Sequence, residues 1–348
     1  MKKKFLVIPF SFAALFWLGQ TINLSIIFPY LVRPALIYYY FTQPAMRDLM
    51  NLIAENRTQA FPTIWDTSEG VLLSKKMFRQ IDMNGEKKYG YLPGLKKIAF
   101  QTGTPDFQRK FEAPDSPMLR DILKRLDTRW IVESTFDKYG FRHTGFDFNK
   151  ECQETVLLAG DSFTEGLWVS DAETFAHHFV TSINEKSSSK TCIVNTGTNG
   201  YGALEESFIA QRHYPEFHYQ ALFLFHYPND INGDTYGVLN ASRTTIASEW
   251  RTHFNILAGL VAFAKQNQIR MVLIPIPPKE QRYMPETRKN YQDKLGKFCK
   301  EYGIEFWDPF DFLNQYPEDK VYLSWDPHFN ESGHRIFSDF LLKKLKPS

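Results

Sequence analysis

The chain has 348 residues, with 41 basic and 39 acidic side chains and a formal net charge of +2. This balance does not favour nucleic acid or a strongly charged substrate as a partner. Hydrophobic residues make up 43% of the chain and aromatic residues 16%, which excludes a disordered chain. The length is sufficient for one main domain and an accessory segment.

The first 32 residues predict a membrane anchor. Three lysines precede the uncharged stretch 5–32, whose 28 residues exceed the ~20 that a membrane-spanning helix requires. The concentration of positive charge before this stretch favours an N-terminus inside and a remaining chain outside the membrane. A cleaved secretory signal is the alternative, although Leu18-Gly19-Gln20 makes a poor cleavage site. We therefore expect a signal anchor at residues 1–32 and an extracytoplasmic location, periplasmic or at the cell surface, for the rest.

Residues 33–150 show no strong periodic pattern and predict an accessory segment that packs on the main domain. Short helices are predicted at residues 46–56 and 116–126, the second beginning at a Ser-Pro pair. Residues 89–94, with the sequence YGYLPG, predict a turn between short strands.

The three cysteines, Cys152, Cys192 and Cys299, are too few and too scattered for a disulfide framework or a zinc site. Cys192 lies in an apolar, strand-like stretch and Cys299 on a predicted helix. We therefore expect buried free thiols, with one disulfide at most.

From residue 151 to the C-terminus, apolar stretches of strand length alternate with segments of helical periodicity. Near-continuous apolar strands alternating with helices are typical of a parallel sheet covered on both faces. The fold class predicted is therefore α/β, with a three-layer, doubly wound parallel sheet. Strands are predicted at 155–159, 191–195, 221–225, 271–276 and 304–307, and helices at 173–184, 204–213, 248–266, 287–302 and 332–344.

Polar and glycine-rich motifs follow these strands. Gly160-Asp161-Ser162 comes directly after the first, the NTGTNGYG stretch of residues 195–202 after the second, and Asn229-Asp230 after the third. Asp326-Pro327-His328 precedes the last helix. Ligands of such sheets bind at the carboxyl ends of the strands, so these motifs are expected to meet in one crevice.

The motifs supply the groups that acyl transfer requires. A serine hydroxyl is a weak nucleophile that needs a base within hydrogen-bond reach, and His328 is the candidate base for Ser162. Asp326 would orient the imidazole and stabilise its charged form. The backbone N–H groups of Ser162 and Gly200 and the Asn229 amide are candidates for the oxyanion hole. Alternatives remain open, with Gly197 or Gly202 in place of Gly200 and His334 in place of His328.

The order of these motifs resembles that of the SGNH (GDSL-type) hydrolases, from about residue 140 to the C-terminus. The resemblance implies a flavodoxin-like sheet and identifies Ser162, Gly200, Asn229 and His328 as the four groups that name the family. Tyr227 stands where the family has the glycine of G-x-N-D, and D-x-H is one residue shorter than the commonest final motif. Membrane-anchored proteins that resemble this layout often act on O-acyl groups of cell-envelope glycans.

The leading hypothesis is a membrane-anchored, extracytoplasmic serine ester hydrolase that acts through an acyl-serine, with O-acyl groups of envelope polysaccharides as the candidate substrate. An O-acyltransferase with the same triad and a catalytically silent glycan-binding or assembly protein are the alternatives. We expect no cofactor, no metal and no nucleic-acid partner. The predicted organisation is an anchor at 1–32, an accessory segment at 33–150 and a catalytic domain at 151–348.

Overall fold

The computed structural model describes residues 77–104, 107–125, 128–232, 235–240 and 246–345, together with 66–67, 70–72 and the single positions 44 and 48. The anchor predicted at 1–32 and nearly all of the helix predicted at 46–56 lie outside the described residues. A first compact unit includes Phe100–Ile131, and a second is formed by Lys75–Ala99 and Val132–Ser348. The second unit therefore includes parts of the segment that was assigned as accessory.

The elements are numbered along the chain. The strands are β1 (Asp66–Thr67), β2 (Gly70–Leu72), β3 (Phe78–Met83), β4 (Glu86–Tyr91), β5 (Lys96–Thr104), β6 (Phe107–Pro114), β7 (Thr128–Thr135), β8 (Glu154–Gly160), β9 (Thr191–Asn195), β10 (Ala221–His226), β11 (Arg270–Pro275) and β12 (Glu305–Phe306). The α-helices are α1 (Pro117–Arg125), α2 (Ser162–Glu165), α3 (Phe175–Asn184), α4 (Ala203–Phe217), α5 (Asn229–Asn232), α6 (Thr235–Asn240), α7 (Ile246–Gln266), α8 (Gln292–Tyr302), α9 (Phe310–Leu313), α10 (Glu318–Val321) and α11 (Glu331–Leu345). Short 3₁₀ helices lie at Asp171–Glu173, Lys279–Tyr283 and Pro285–Asn290.

Five strands of the second unit form a parallel sheet in the order β9–β8–β10–β11–β12. Numbered by chain order within the sheet this is 2-1-3-4-5, the flavodoxin-like order. All six residues of β10 are buried, as expected for a central strand covered on both faces. The predicted α/β fold with a flavodoxin-like parallel sheet is confirmed.

Alternate side chains of the sheet enter two separate hydrophobic clusters. On β8, Leu157 packs in a cluster with side chains of α4, α7 and α8, whereas Leu158 packs in a second cluster with side chains of α3 and α11. Because successive strand residues point to opposite faces, the two clusters are the two interfaces of a three-layer sandwich. The carboxyl ends of β8, β9 and β10 lie side by side at one edge of this sandwich.

Strands β3 and β4 form an antiparallel hairpin that the sequence analysis did not predict. The hairpin turns at Asn84-Gly85, where both residues have positive φ angles of 55° and 90°. These angles suit a two-residue turn, for which Asn-Gly is a strong sequence signal. The YGYLPG segment is also only partly a turn, because its first three residues complete β4.

A mixed five-stranded sheet has the order β1–β2–β6–β5–β7, with β1 and β2 antiparallel and β2 and β6 parallel. Helix α1 follows β6 close to its predicted position, and it buries Leu119, Ile122 and Leu123. Among the residues that the structure describes, no helix has the length and hydrophobicity needed to cross a membrane.

The prediction of a free thiol is wrong for Cys192 and correct for Cys299, and the one disulfide is within the limit that the sequence set. Cys152 and Cys192 form a disulfide between the loop before β8 and the second residue of β9. Cys299 is the one buried free thiol, and burial raises its pKa to about 12. Forty positions separate the bonded cysteines, so only the parallel pairing of β8 and β9 brings them together.

Candidate active site

Ser162 is the first residue of α2 and follows the carboxyl end of β8 after a single residue. That residue, Asp161, caps the helix, because its carboxylate accepts a hydrogen bond of 2.9 Å from the Phe163 N–H. Ser162 is 5% exposed, and Gly166 ends the short helix in the left-handed conformation. The serine therefore lies on a tight strand-to-helix turn at the edge where the parallel strands end.

Ser162, His328 and Asp326 form one hydrogen-bonded chain. The Ser162 Oγ atom lies 2.7 Å from His328 Nε2, and His328 Nδ1 contacts Asp326 Oδ1. Asp326 also accepts the His328 backbone N–H at 3.0 Å, which fixes the loop around the imidazole. Ser162 and His328 are 166 positions apart in the sequence, so it is the fold that brings the predicted nucleophile and base into contact.

An aromatic stack covers one face of the His328 ring. The ring of Phe163 lies 4.5 Å from the imidazole, measured between centroids, with the two planes 30° apart. Tyr227 lies 4.5 Å from Phe163, measured between ring centroids, so the Phe163 ring contacts both the imidazole and Tyr227. Tyr227, which replaces the family glycine, is buried and packs against Phe163. The imidazole is therefore restrained by packing as well as by hydrogen bonds.

The candidate oxyanion donors come from three loops at this edge. Asn229 is the first residue of α5, and its side chain donates a hydrogen bond to Asp161 beside Ser162. Gly200 has a φ of 81°, a left-handed conformation that favours glycine. The N–H of Gly197 donates to Asn195 Oδ1 and that of Gly202 to Glu205, so both alternatives to Gly200 have their N–H groups engaged.

The loop after β9 lies directly against the serine-bearing helix. The Asn195 side-chain amide donates to the Thr164 carbonyl at 2.8 Å, and the Thr198 N–H donates to the Gly160 carbonyl at 3.2 Å. A Cβ atom at Gly197 would lie 2.3 Å from the Glu165 nitrogen, a contact that no other residue could make. The position of Gly200 relative to Ser162 therefore depends on this close contact.

Three buried carboxyl groups lie behind the site. Burial raises the pKa of Asp161 to about 6, against the effects of the Phe163 N–H, the nearby His328 and the Asn229 amide. Burial also raises the pKa of Glu206 and of Asp230 well above their ordinary values, and the charge of Glu206 adds to the rise at Asp230. Both Glu206 oxygens are without a hydrogen-bond partner among the described residues. Burial therefore favours the protonated form of all three carboxyl groups more than water does.

His334 does not compete with His328 for the serine. It is fully buried, its Nδ1 accepts a hydrogen bond of 3.1 Å from the Phe175 N–H, and its ring stacks on Phe175. Burial lowers the His334 pKa well below its ordinary value. Within the described part of the chain, no group of three or more His, Cys, Asp or Glu side chains is arranged to hold a metal ion.

Sequence reasoning missed two tryptophans beside the triad. Trp168 has a φ of 72°, a strained conformation for a bulky residue, and its ring centroid lies 5.7 Å from that of Trp325. Trp325 directly precedes Asp326. The buried Arg142 holds the Trp168 loop, because its guanidinium donates to the Val169 carbonyl at 2.8 Å and pairs with Asp171 at 2.7 Å.

The chain is similar to a known protein family and to several solved structures. The GDSL-like lipase/acylhydrolase family matches residues 158–336, which is 179 of the 348 residues. A protein of the G-D-S-L family from Desulfitobacterium hafniense shares 18% identity at a TM-score of 0.43, over 56% of this chain and 100% of its own. A lipase/acylhydrolase from Enterococcus faecalis shares 16% identity at a TM-score of 0.42, over 56% and 99% of the two chains.

A mutant of Axe2, an acetyl-xylooligosaccharide esterase from a Geobacillus species, is also similar, with 17% identity, a TM-score of 0.43 and coverage of 58% and 98%. No curated protein matches the chain. The family match covers just over half of the sequence and begins within β8, four residues before Ser162. The chain belongs to the GDSL-like lipase/acylhydrolase family and is a carboxylic ester hydrolase.

Proposed function

We propose that this hydrolase works outside the cytoplasmic membrane, through an acyl-serine at Ser162, and removes O-acyl groups from envelope glycans. The observation that carries the proposal is the chain of contacts from the Ser162 hydroxyl through His328 to Asp326. A serine, a histidine at 2.7 Å from it and a carboxylate on the second ring nitrogen are the parts of the serine hydrolase mechanism.

In the proposed reaction the Ser162 Oγ attacks the ester carbonyl carbon while His328 Nε2 takes the hydroxyl proton. The tetrahedral intermediate places its negative oxygen among the N–H groups of Ser162 and Gly200 and the Asn229 amide. The intermediate collapses to the acyl-serine when the alcohol leaves with the proton from His328. Water then attacks the acyl-serine with His328 again as the base, which releases the carboxylic acid and restores the serine.

Two observations support the proposed location. The Cys152–Cys192 disulfide is typical of proteins in oxidising compartments such as the periplasm or the extracellular space. The lysines and the 28 uncharged residues at the N-terminus favour an anchor with the remaining chain outside. Both features point to the same side of the membrane.

The partly exposed Trp325 beside the triad supports a glycan substrate. Indole rings offer a large apolar face together with a polar N–H, a combination that suits the C–H and hydroxyl groups of a sugar ring. Trp168 and Trp325 are adjacent, and Trp325 neighbours the carboxylate that orients His328. A sugar stacked on the partly exposed Trp325 ring, against which the buried Trp168 packs, would hold its acyl ester near the triad.

Intact-mass analysis tests the proposal. The full-length protein, mixed with p-nitrophenyl acetate and an oligosaccharide, should gain 42 Da, the mass of one acetyl group, on Ser162 and then lose it to water. Ser162→Ala should show neither the adduct nor turnover, whereas Ser189→Ala, which removes an exposed hydroxyl, should behave as wild type. Transfer of the acetyl group to the oligosaccharide would identify an acyltransferase. An adduct on Ser162→Ala would refute the assignment of the nucleophile.

A further inference from the structure

The last residue of the serine-bearing helix forms a buried ion pair. The Lys97 ammonium lies 2.7 Å from Glu165 Oε1, and the two side chains are 1% and 0% exposed. Glu165 is the last residue of α2, three positions after Ser162, and Lys97 is the second residue of β5. The Lys97 Nζ also lies 5.0 Å from the centroid of the Tyr91 ring, where an aromatic face stabilises a cation.

Glu165 joins three segments of the second unit. Its Oε2 accepts the backbone N–H of Asn199 at 2.8 Å, in the loop that carries the candidate oxyanion residue Gly200. The Tyr91 hydroxyl, from the end of the β3–β4 hairpin, lies 3.1 Å from the same oxygen. The carboxylate therefore connects the serine helix, the loop after β9 and the segment that supplies Lys97.

The charge of Lys97 is what allows a carboxylate at this position. A buried carboxylate without a counter-ion is strongly unfavourable, and it either takes up a proton or rearranges to reach water. Either change alters the hydrogen bond from Asn199 to Glu165. Because Gly200 follows Asn199 directly, the peptide N–H of Gly200 would shift relative to Ser162.

We propose that Lys97 and Glu165 are positioning residues that set the oxyanion loop against the serine turn. This inference rests on the proposed role of Ser162. It assigns to residues 77–99, which lie far from the family motifs in sequence, a direct part in the geometry of the catalytic centre. Neither side chain touches the substrate, so the pair acts on the transition state through the Asn199–Gly200 peptide.

The test compares the kcat and KM of full-length variants on p-nitrophenyl acetate. The concentration of active sites is measured from the burst of p-nitrophenol that acylation releases, and kcat is calculated per active site. Lys97→Met should lower kcat about 100-fold with KM changed less than about threefold, because one displaced oxyanion donor costs roughly 10²–10³. Glu165→Gln should lower kcat about tenfold, since the amide oxygen still accepts the Asn199 N–H. Lys96→Met removes the same charge from the exposed neighbouring residue and should leave kcat unchanged.

The double variant Lys97→Met/Glu165→Gln gives the sharpest result. It contains no unpaired buried charge, so its kcat should exceed that of Lys97→Met by about tenfold. If Lys97→Met does not fold, Glu165→Gln and the double variant still test the proposal. An unchanged kcat in both, a loss confined to KM, or lower stability without lower kcat would overturn it.

Ser162→Ala in the same series separates the two proposals. If it abolishes turnover while the variants of the pair are as active as wild type, only the positioning role fails. If Ser162→Ala remains active, the proposed mechanism fails, whatever the pair does.

Discussion

Replacement of Cys152 and Cys192 by alanine removes the covalent link between the loop before β8 and the start of β9. The two cysteines are 40 positions apart, and the loss of loop-closure entropy in the unfolded chain corresponds to about 4 kcal/mol at 25 °C. Domains unfold with free energies of about 5–15 kcal/mol, so this link accounts for a large fraction of the total. The double alanine variant should therefore unfold at a much lower urea concentration than the oxidised protein.

Urea unfolding followed by tryptophan fluorescence and by residual esterase activity measures this difference. Wild-type protein treated with dithiothreitol should match the double alanine variant. Cys299→Ala changes a buried free thiol and serves as the control, because its urea midpoint should still fall on reduction. After denaturation without reductant, one thiol per chain should react with Ellman's reagent. An oxidised protein with the same midpoint as the reduced one, or with three reactive thiols, would refute the reasoning.

Three further predictions concern the site. Asp326→Asn should lower kcat by about 10⁴-fold if tautomer control matters here as in serine proteases. Asn229→Ala should lower kcat by only about 10²–10³-fold, because it removes one oxyanion donor. Both values are measured per active site, and a larger loss in Asn229→Ala would contradict the assignment. Burial raises the pKa of Glu206 in the folded protein well above its ordinary value of 4.5. The stability that the protonated Glu206 side chain contributes is therefore complete below pH 4.5, and it is lost as the pH rises through the folded-state pKa. Glu206→Gln cannot ionise, and its melting temperature should therefore fall less than that of wild type between pH 5 and pH 9; parallel curves would show that Glu206 does not contribute. Trp325→Ala should raise KM for acetylated oligosaccharides about tenfold or more while changing KM for p-nitrophenyl acetate little; equal changes would exclude sugar stacking.

The parallel sheet was predictable because its strands are apolar on both faces. The stretch of β10 has no polar residue before its last position, and short apolar stretches of this kind between helices are characteristic of parallel strands. The strands of residues 77–135 lack this signal. Strand β4 has the sequence EKKYGY, with charged residues at its start and a last residue, Tyr91, that becomes buried only by tertiary packing. The one local signal in that region, Asn84-Gly85, was present in the sequence and was overlooked.

The triad candidates were identifiable because each belongs to a short motif at a strand end or before a helix. The side chains that hold the triad in place were not identifiable from the sequence. Nothing in the sequence around Phe163 indicates that its ring contacts that of His328. Nothing around Lys97 indicates that the fold buries this lysine beside Glu165. The disulfide between cysteines 40 positions apart likewise depends on a strand pairing that composition does not reveal.

The buried ion pair also has a consequence for the lifetime of the active enzyme. Lys97 and Glu165 are separated by 68 positions, and contacts of such long range form late because the intervening chain must first be ordered. An interaction that is absent from the folding transition state changes the unfolding rate and leaves the folding rate nearly unaltered. We therefore expect the pair to determine how long each molecule keeps a competent serine turn between unfolding events. At the proposed location outside the cytoplasm, that interval would set the working life of the protein.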